Sequence, residues 1–237
     1  MILLGVVLSI VVLYGFLYLE HEWEIGLLLV ALPVAILVLK RTNMLSDYQQ
    51  AARAMPKLTL SSFIVGVLVL IILLRDEHFA LLMLTTVMLY VTVSLGLTIQ
   101  FGFAGLVNFA AIAFFGIGAY SMALLNHHFN ALPDLLIILF SGLASALLGA
   151  LLILPILRTR GHYAALITIA FGILLRTFLE VNDVFGGPQG LKVDGLEILG
   201  WNFSNSFPSL LGGGSFYMAY AITALLLAAA AYLLTRL

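Results

Sequence analysis

The chain has 237 residues, of which 63% are hydrophobic and 9% charged, with a mean hydropathy of +1.19. A soluble domain is about half apolar and about a quarter charged, so this composition excludes one and indicates an integral membrane protein. Ten Lys plus Arg stand against eleven Asp plus Glu, a net charge of −1 that supplies no basis for nucleic-acid binding, and the lack of cysteine excludes disulfides and thiolate chemistry.

Eight apolar segments separated by brief polar punctuation predict an all-α, polytopic fold of about eight transmembrane helices. The first runs from Ile2 to Leu19 and is closed by Glu20-His21-Glu22-Trp23-Glu24. It lacks a basic start and a small-residue cleavage site, which favours a retained helix over a signal peptide. The second, Ile25 to Leu39, is short against the roughly 20 residues that cross a bilayer core, so tilt or local thinning is expected. In the polar loop that follows, Ser46 and Gln49 have capping-box spacing, while Tyr48, Ala51, Ala52 and Met55 share one helical face. A short interfacial helix is predicted there, serving either as a contact for an ATPase subunit or as a helix lying on the lipid surface.

The third segment covers Leu58 to Leu74, and the fourth and fifth are Phe79 to Ile99 and Leu106 to Leu125, with a turn predicted over Gln100 to Gly105. The sixth runs from Leu135 to Leu157, the seventh from Tyr163 to about Leu179, and the eighth from Phe216 to Leu234. Sidedness follows from retention of positive charge in cytoplasmic loops. With eight spans and a cytoplasmic amino terminus, Lys40, Arg41, Arg53, Lys57, Arg158, Arg160 and Arg236 lie inside, while every acid except Asp47 lies outside or at an outer helix end.

Within this frame the stretch Leu95 to Tyr120 stands apart, carrying Gly96, Gly102, Gly105, Gly116 and Gly118, the amide of Asn108, and no charge. Glycine costs about 1 kcal/mol relative to alanine in a helix interior, and broken backbone at membrane depth survives only where protein or a water-filled cavity covers it. The stretch therefore reads as a translocation-path segment with a hairpin or a re-entrant break, or else as small-residue packing between helices. Asn108, Tyr163 and Thr168 either line such a path or satisfy neighbouring backbone and helices. Arg176 and Glu180, four residues apart on the seventh segment, either neutralise each other within the span or snorkel at its outer boundary. The histidines offer no metal-ligand spacing, and no metal site or cofactor is expected.

The residues Gly102 to Tyr120, GFAGLVNFAAIAFFGIGAY, resemble the glycine-rich segment of bacterial ABC importer permeases for branched-chain amino acids and related amides or urea. Leu157 to Arg176, LRTRGHYAALITIAFGILLR, with GGPQGL at Gly186 to Leu191, is similar to the same family's basic loop, next helix and outer loop. The likeness is to the M-type of the two permease subunits. It implies a three-helix amino-terminal extension over residues 1–78 and a permease core over 79–237 that lacks the family's carboxy-terminal part, including the segment that seats on the ATPase. It further implies a second permease subunit, two ATP-binding subunits, an external substrate-binding protein and an inner-membrane location. Path residues implied at the matching positions are Gly102, Gly105, Asn108, Gly116, Gly118, Tyr163 and Thr168, with Gly186, Gly187, Pro188 and Gly190 in an ordered loop near the mouth.

Two positions depart from the pattern. Ile173 follows Gly172 where the family usually carries glutamate, and Ala110-Ala111 stands where many members have histidine, so no role of those residues transfers. Enzymatic readings lack support, since the sequence shows no intramembrane aspartate pair, serine–histidine pair or zinc constellation. Nor does it show a phosphate-binding glycine–lysine motif, so ATP hydrolysis is expected in separate subunits. A channel or secondary transporter of another class, and a membrane scaffold, are the alternatives; the first normally draws on buried carboxylates or charged rings.

Overall fold

The structure, a computed structural model, describes residues 2–19, 21–105, 108–129, 132–156, 162–193, 195–198, 200–205 and 214–236. Among them are nine α-helices: α1 (Ile2–Tyr18), α2 (Glu22–Arg41), α3 (Met44–Ala54), α4 (Pro56–Leu73), α5 (His78–Ala104), α6 (Ala111–His128), α7 (Asp134–Ile156), α8 (His162–Val181) and α9 (Tyr217–Leu234). Six of these, α2, α4, α5, α7, α8 and α9, are long and apolar enough to cross a membrane. The other two that follow apolar segments fall short for different reasons. α1 has only 17 residues, and α6 ends in Asn126-His127-His128, which dilutes its hydropathy.

Several boundaries differ from those read in the sequence. The second segment is not short: α2 has 20 residues because it absorbs Glu22 and Glu24 into its first turn and Lys40 and Arg41 into its last. Acids at the amino end and bases at the carboxyl end match the helix dipole, so the charges extend the helix rather than stop it, and about 30 Å of length needs no thinning. Nor does Ser46 cap the interfacial helix. It sits inside α3 and donates to the carbonyl of Asn43 at 2.7 Å, while Asn43 precedes the helix in a left-handed conformation. The inward face of α3 carries Leu45, Tyr48, Ala51 and Ala52, as predicted for the last three, and Met55 falls beyond the helix and is exposed. A Cβ added to Gly5 would run into the Tyr48 ring, so that ring lies flush on α1.

The predicted turn over Gln100 to Gly105 is also displaced. α5 continues through Gly96 and Gly102 to Ala104, and the left-handed residue is Gly105 at φ 63°. Two glycines cost about 1 kcal/mol each in a helix, whereas each backbone group left unsatisfied in hydrocarbon costs several, so the helix persists. α6 accordingly starts at Ala111 rather than at Leu106, a residue outside those described. A second departure from an all-α reading is a short antiparallel hairpin, β1 (Glu197–Ile198) with β2 (Trp201–Asn202), turned through Gly200 at φ 80°.

The chain divides into two compact units, Met1–Leu89 with Ser206–Ala229, and Tyr90–Asn205 with Ala230–Leu237. The first unit holds one continuous core: Val67, Leu70, Ile71 and Leu74 of α4, Leu81, Leu84 and Met88 of α5, and Met218, Ala221, Ala224 and Leu225 of α9. Ile10, Leu13, Tyr14 and Leu17 of α1 pack onto it. Alanine recurs along the buried face of α9, which lets helix backbones approach closely where lipid supplies no hydrophobic drive. The core is closed at one end by Ser215, whose amide donates to the Arg75 carbonyl at 2.8 Å and whose hydroxyl shares a 2.7 Å hydrogen bond with His78 Nδ1.

In the second unit α6 and α7 pair along their length, fastened where Ser145 Oγ donates to the Phe114 carbonyl at 2.7 Å. The Phe114 ring stacks on Phe171 of α8 at 6.0 Å. Asp134 at the start of α7 accepts hydrogen bonds from the Glu197 amide and, at 3.3 Å, from the Asn126 side chain, so it ties the hairpin to the α6–α7 connection.

Candidate functional site

The predicted path residues fall into three groups. Asn108 and Thr168 come together at the gap between α5 and α6. Asn108 lies in non-helical backbone, where its Oδ1 accepts from the Ala110 amide at 2.8 Å, a local bond that draws asparagine toward turns and out of helices. Its Nδ2 donates to Gln100 Oε1 at 2.9 Å, joining the turn to the last part of α5. Thr168 of α8, 2% exposed, donates to the Ala165 carbonyl at 2.8 Å. Its oxygen accepts the Phe109 amide at 3.1 Å, across 59 residues of chain. The gap is therefore held from both sides by neutral hydrogen bonds, and Ala110 is buried within it.

Gly102, Gly105 and Gly116 form a second group, defined by what they do not touch: a Cβ built on any of them meets nothing within 4 Å. Gly118 differs, since its Cβ would lie 3.9 Å from Ser145 Cβ, in the seam between α6 and α7. Gly149 lies in the same seam, 3.6 Å from the Phe114 ring. Tyr163, at the start of α8, is 71% exposed and joins neither cluster.

The third group is the loop after α8. Asn182 caps a 3-10 turn at Asp183–Phe185 by accepting from the Val184 amide at 3.1 Å, and a second turn covers Gly187–Gln189. Gly186, Gly187 and Gly190 have φ of 81°, 57° and 72°, all in the left-handed region that favours glycine. Space separates the three. A Cβ on Gly186 would enter the Gly190 carbonyl, whereas one on Gly187 would make ordinary contact at 3.7 Å with Asp183 Oδ1 and the Glu180 carbonyl. Pro188 falls in the second turn, where its missing amide is no loss. Phe185 anchors the loop to both flanking helices, with ring centroids 6.0 Å from Tyr120 of α6 and 5.4 Å from Phe178 of α8.

Arg176 and Glu180 do pair, Nε to Oε1 at 2.7 Å, but on an open face, with side chains 79% and 51% exposed. They stand apart from the Asn108–Thr168 cluster in the described contacts. The predicted inner loop at Arg158 to Arg160 lies outside the described residues. Among described residues no group of three metal-ligating side chains occurs. Sequence reasoning did not find Gln100 or the Phe109 amide as partners. The offset of Asn108 from Gln100 by eight residues carries no pattern until the turn between them is known.

A family model described as the permease component of branched-chain amino acid transport systems matches residues 79–236. Among curated proteins, the high-affinity branched-chain amino acid transport system permease protein LivM of Salmonella typhimurium is 35% identical over 129 residues, covering 52% of this chain and 29% of its own length. The LivM protein of Escherichia coli is 34% identical over 142 residues, covering 52% of this chain and 32% of its own. The matched part thus spans about a third of either relative. No solved structure gives a significant match. With the family model covering well over half of it, the chain belongs to the family of permease components of branched-chain amino acid transport systems, and its six candidate spans fit a multi-pass membrane protein.

Proposed function

We propose that the chain is a permease subunit of a binding-protein-dependent ABC importer and forms part of the translocation path for branched-chain amino acids or related small amides. The observation that carries this reading is the family match over residues 79–236, supported by relatives whose names specify branched-chain amino acid transport. In this reading the helices other than α3 give eight spans of a bacterial inner membrane with the amino terminus cytoplasmic. Residues 1–78 are then an amino-terminal extension, and residues 79–237 belong to the permease core. A second permease subunit, two ATP-binding subunits that carry out hydrolysis, and an external substrate-binding protein complete the assembly.

The path runs beside the gap between α5 and α6. Gly102, Gly105 and Gly116 keep its wall smooth, and Tyr163 offers an exposed hydroxyl. Support for a break at membrane depth comes from Thr168, which holds the gap from a point about 7.5 Å along the α8 axis from Tyr163. A path with neutral hydrogen-bonding groups and no fixed charge passes a zwitterion with an apolar side chain without trapping it, leaving selectivity to the binding protein. Gly186, Gly187, Pro188 and Gly190 shape the outer mouth. The test is co-expression with candidate ATPases and binding protein, followed by affinity purification and uptake of labelled leucine into vesicles. Single cysteines at Gln49, Asn126 and Gln189 fix the sidedness: the first must be shielded from an impermeant thiol reagent in intact cells and the other two reactive. Reversed labelling, or failure to recover ATPases with this chain, would sink the proposal.

A further inference from the structure

Threonines in the apolar helices are mostly self-contained. Thr85, Thr86, Thr98 and Thr177 each donate to the carbonyl four residues earlier, at 2.8 to 3.0 Å, which hides the hydroxyl from hydrocarbon. Thr168 donates to the carbonyl of Ala165, three residues earlier, and in addition accepts the Phe109 amide from a different segment. We infer that Thr168 is a positioning residue: its hydroxyl latches the Phe109 amide, just ahead of α6, to the flank of α8, and it serves transport through that backbone and not by touching cargo.

The chemistry supports this assignment. Its donor is committed to the Ala165 carbonyl, its acceptor receives the Phe109 amide, and the side chain is 2% exposed, so little is left to offer a solute. Asn108, which donates to Gln100 and accepts from the Ala110 amide, ties the same residues to α5. Two adjacent amides, those of Phe109 and Ala110, thereby donate to side-chain oxygens just ahead of α6. A displacement of α8 must either carry Phe109 with it or break the Phe109 bond, so the latch links the tilt of α8 to the backbone just ahead of α6.

The transport part of this inference rests on the permease reading, and the test separates the two. Because the chain has no cysteine, a single Ala110→Cys change, at a position 2% exposed beside the latched amide, supplies one thiol, and labelling of this chain is read by mass spectrometry in the assembled complex. In that background Thr168→Val, which keeps the shape and removes the hydroxyl, is expected to speed labelling about ten-fold, the scale set by an unsatisfied buried amide. Thr168→Ser should restore the original rate. In uptake assays Thr168→Val should lower the maximal rate with the half-saturating concentration unchanged, and Thr168→Ser should recover it. Should the valine variant fail to accumulate in membranes, Thr168→Ala carries the same comparison. Labelling unaltered in the hydroxyl-free variant overturns the latch. A raised half-saturating concentration in both the Val and Ser variants shows contact with cargo and overturns it as well. Absence of uptake in every variant, the parent included, defeats the permease reading alone, since labelling still decides the latch.

Discussion

The two compact units solve the problem of a membrane interior in opposite ways. The first buries large aliphatic side chains, with Leu70, Leu74, Leu81 and Leu84 wholly inaccessible, and closes the core with the Ser215 cluster. The second buries few large side chains. Its glycines at 102, 105 and 116 face open space, and alongside the α6–α7 seam it is joined by directional bonds at Asn108, Thr168, Ser145 and Asp134. Close packing fixes a region by many small contacts, whereas hydrogen bonds fix it at a few named atoms. The contrast teaches that the two units depend on different kinds of contact, so different substitutions should disturb them.

The sharpest way to break this comparison is to truncate a leucine in each unit. Leu81→Ala in the first core should cost about 2–5 kcal/mol, read as a large fall in thermal midpoint of the purified protein, while Leu147→Ala on exposed α7 should cost under about 0.5 kcal/mol. Equal losses would show that the open faces of the second unit are covered as tightly as the core. Next in size is Gly186→Val, where left-handed backbone costs about 1–2 kcal/mol and the new side chain also meets the Gly190 carbonyl. Membrane insertion should survive and uptake should not, and Gly187→Ala, whose added Cβ meets only ordinary contacts at 3.7 Å, should be milder than Gly186→Ala; the reverse ranking would refute the loop geometry.

Ser215→Ala should cost about 1–2 kcal/mol, because the Tyr217 amide and His78 both lose a partner. A thermal midpoint equal to that of the parent would mean that apolar packing alone closes the first unit. The smallest effect, and the most informative about function, is Gly116→Ala. With nothing near the added methyl, α6 should gain up to about 1 kcal/mol. Uptake that falls while stability holds or rises would sharpen the assignment of this glycine to a path, and uptake unchanged would assign it to the bland surface of a helix.

Much of this was legible in the residues. The apolar segments are strong enough that helices α4, α7, α8 and α9 start and end within about two residues of where hydropathy puts them. Where reading failed, a local signal had two meanings. Glu22, Glu24, Lys40 and Arg41 look like the end of an apolar run, yet they sit at the helix ends where the dipole welcomes them. Gly102 looks like a breaker, yet hydrocarbon penalises a broken backbone more than glycine penalises a helix. At the site, Asn108 and Thr168 were visible as the polar residues of an apolar region, but their partners were not. Gln100 becomes a partner only after the chain turns, and the Phe109 amide belongs to a peptide group that every residue shares.

What the sequence determined by itself is therefore the membrane class, the placement of most helices and the family, because hydropathy acts over whole segments and family blocks are strings of residues. Only the tertiary structure decided that α5 runs on to Ala104 and α6 starts at Ala111, that Gly118 belongs to a packing seam while Gly116 faces open space, and that a Cβ on Gly186 would meet the Gly190 carbonyl. Each of these depends on which backbone atoms approach from a distant part of the chain. Residue identity states what a side chain offers, and folding alone supplies the group it meets.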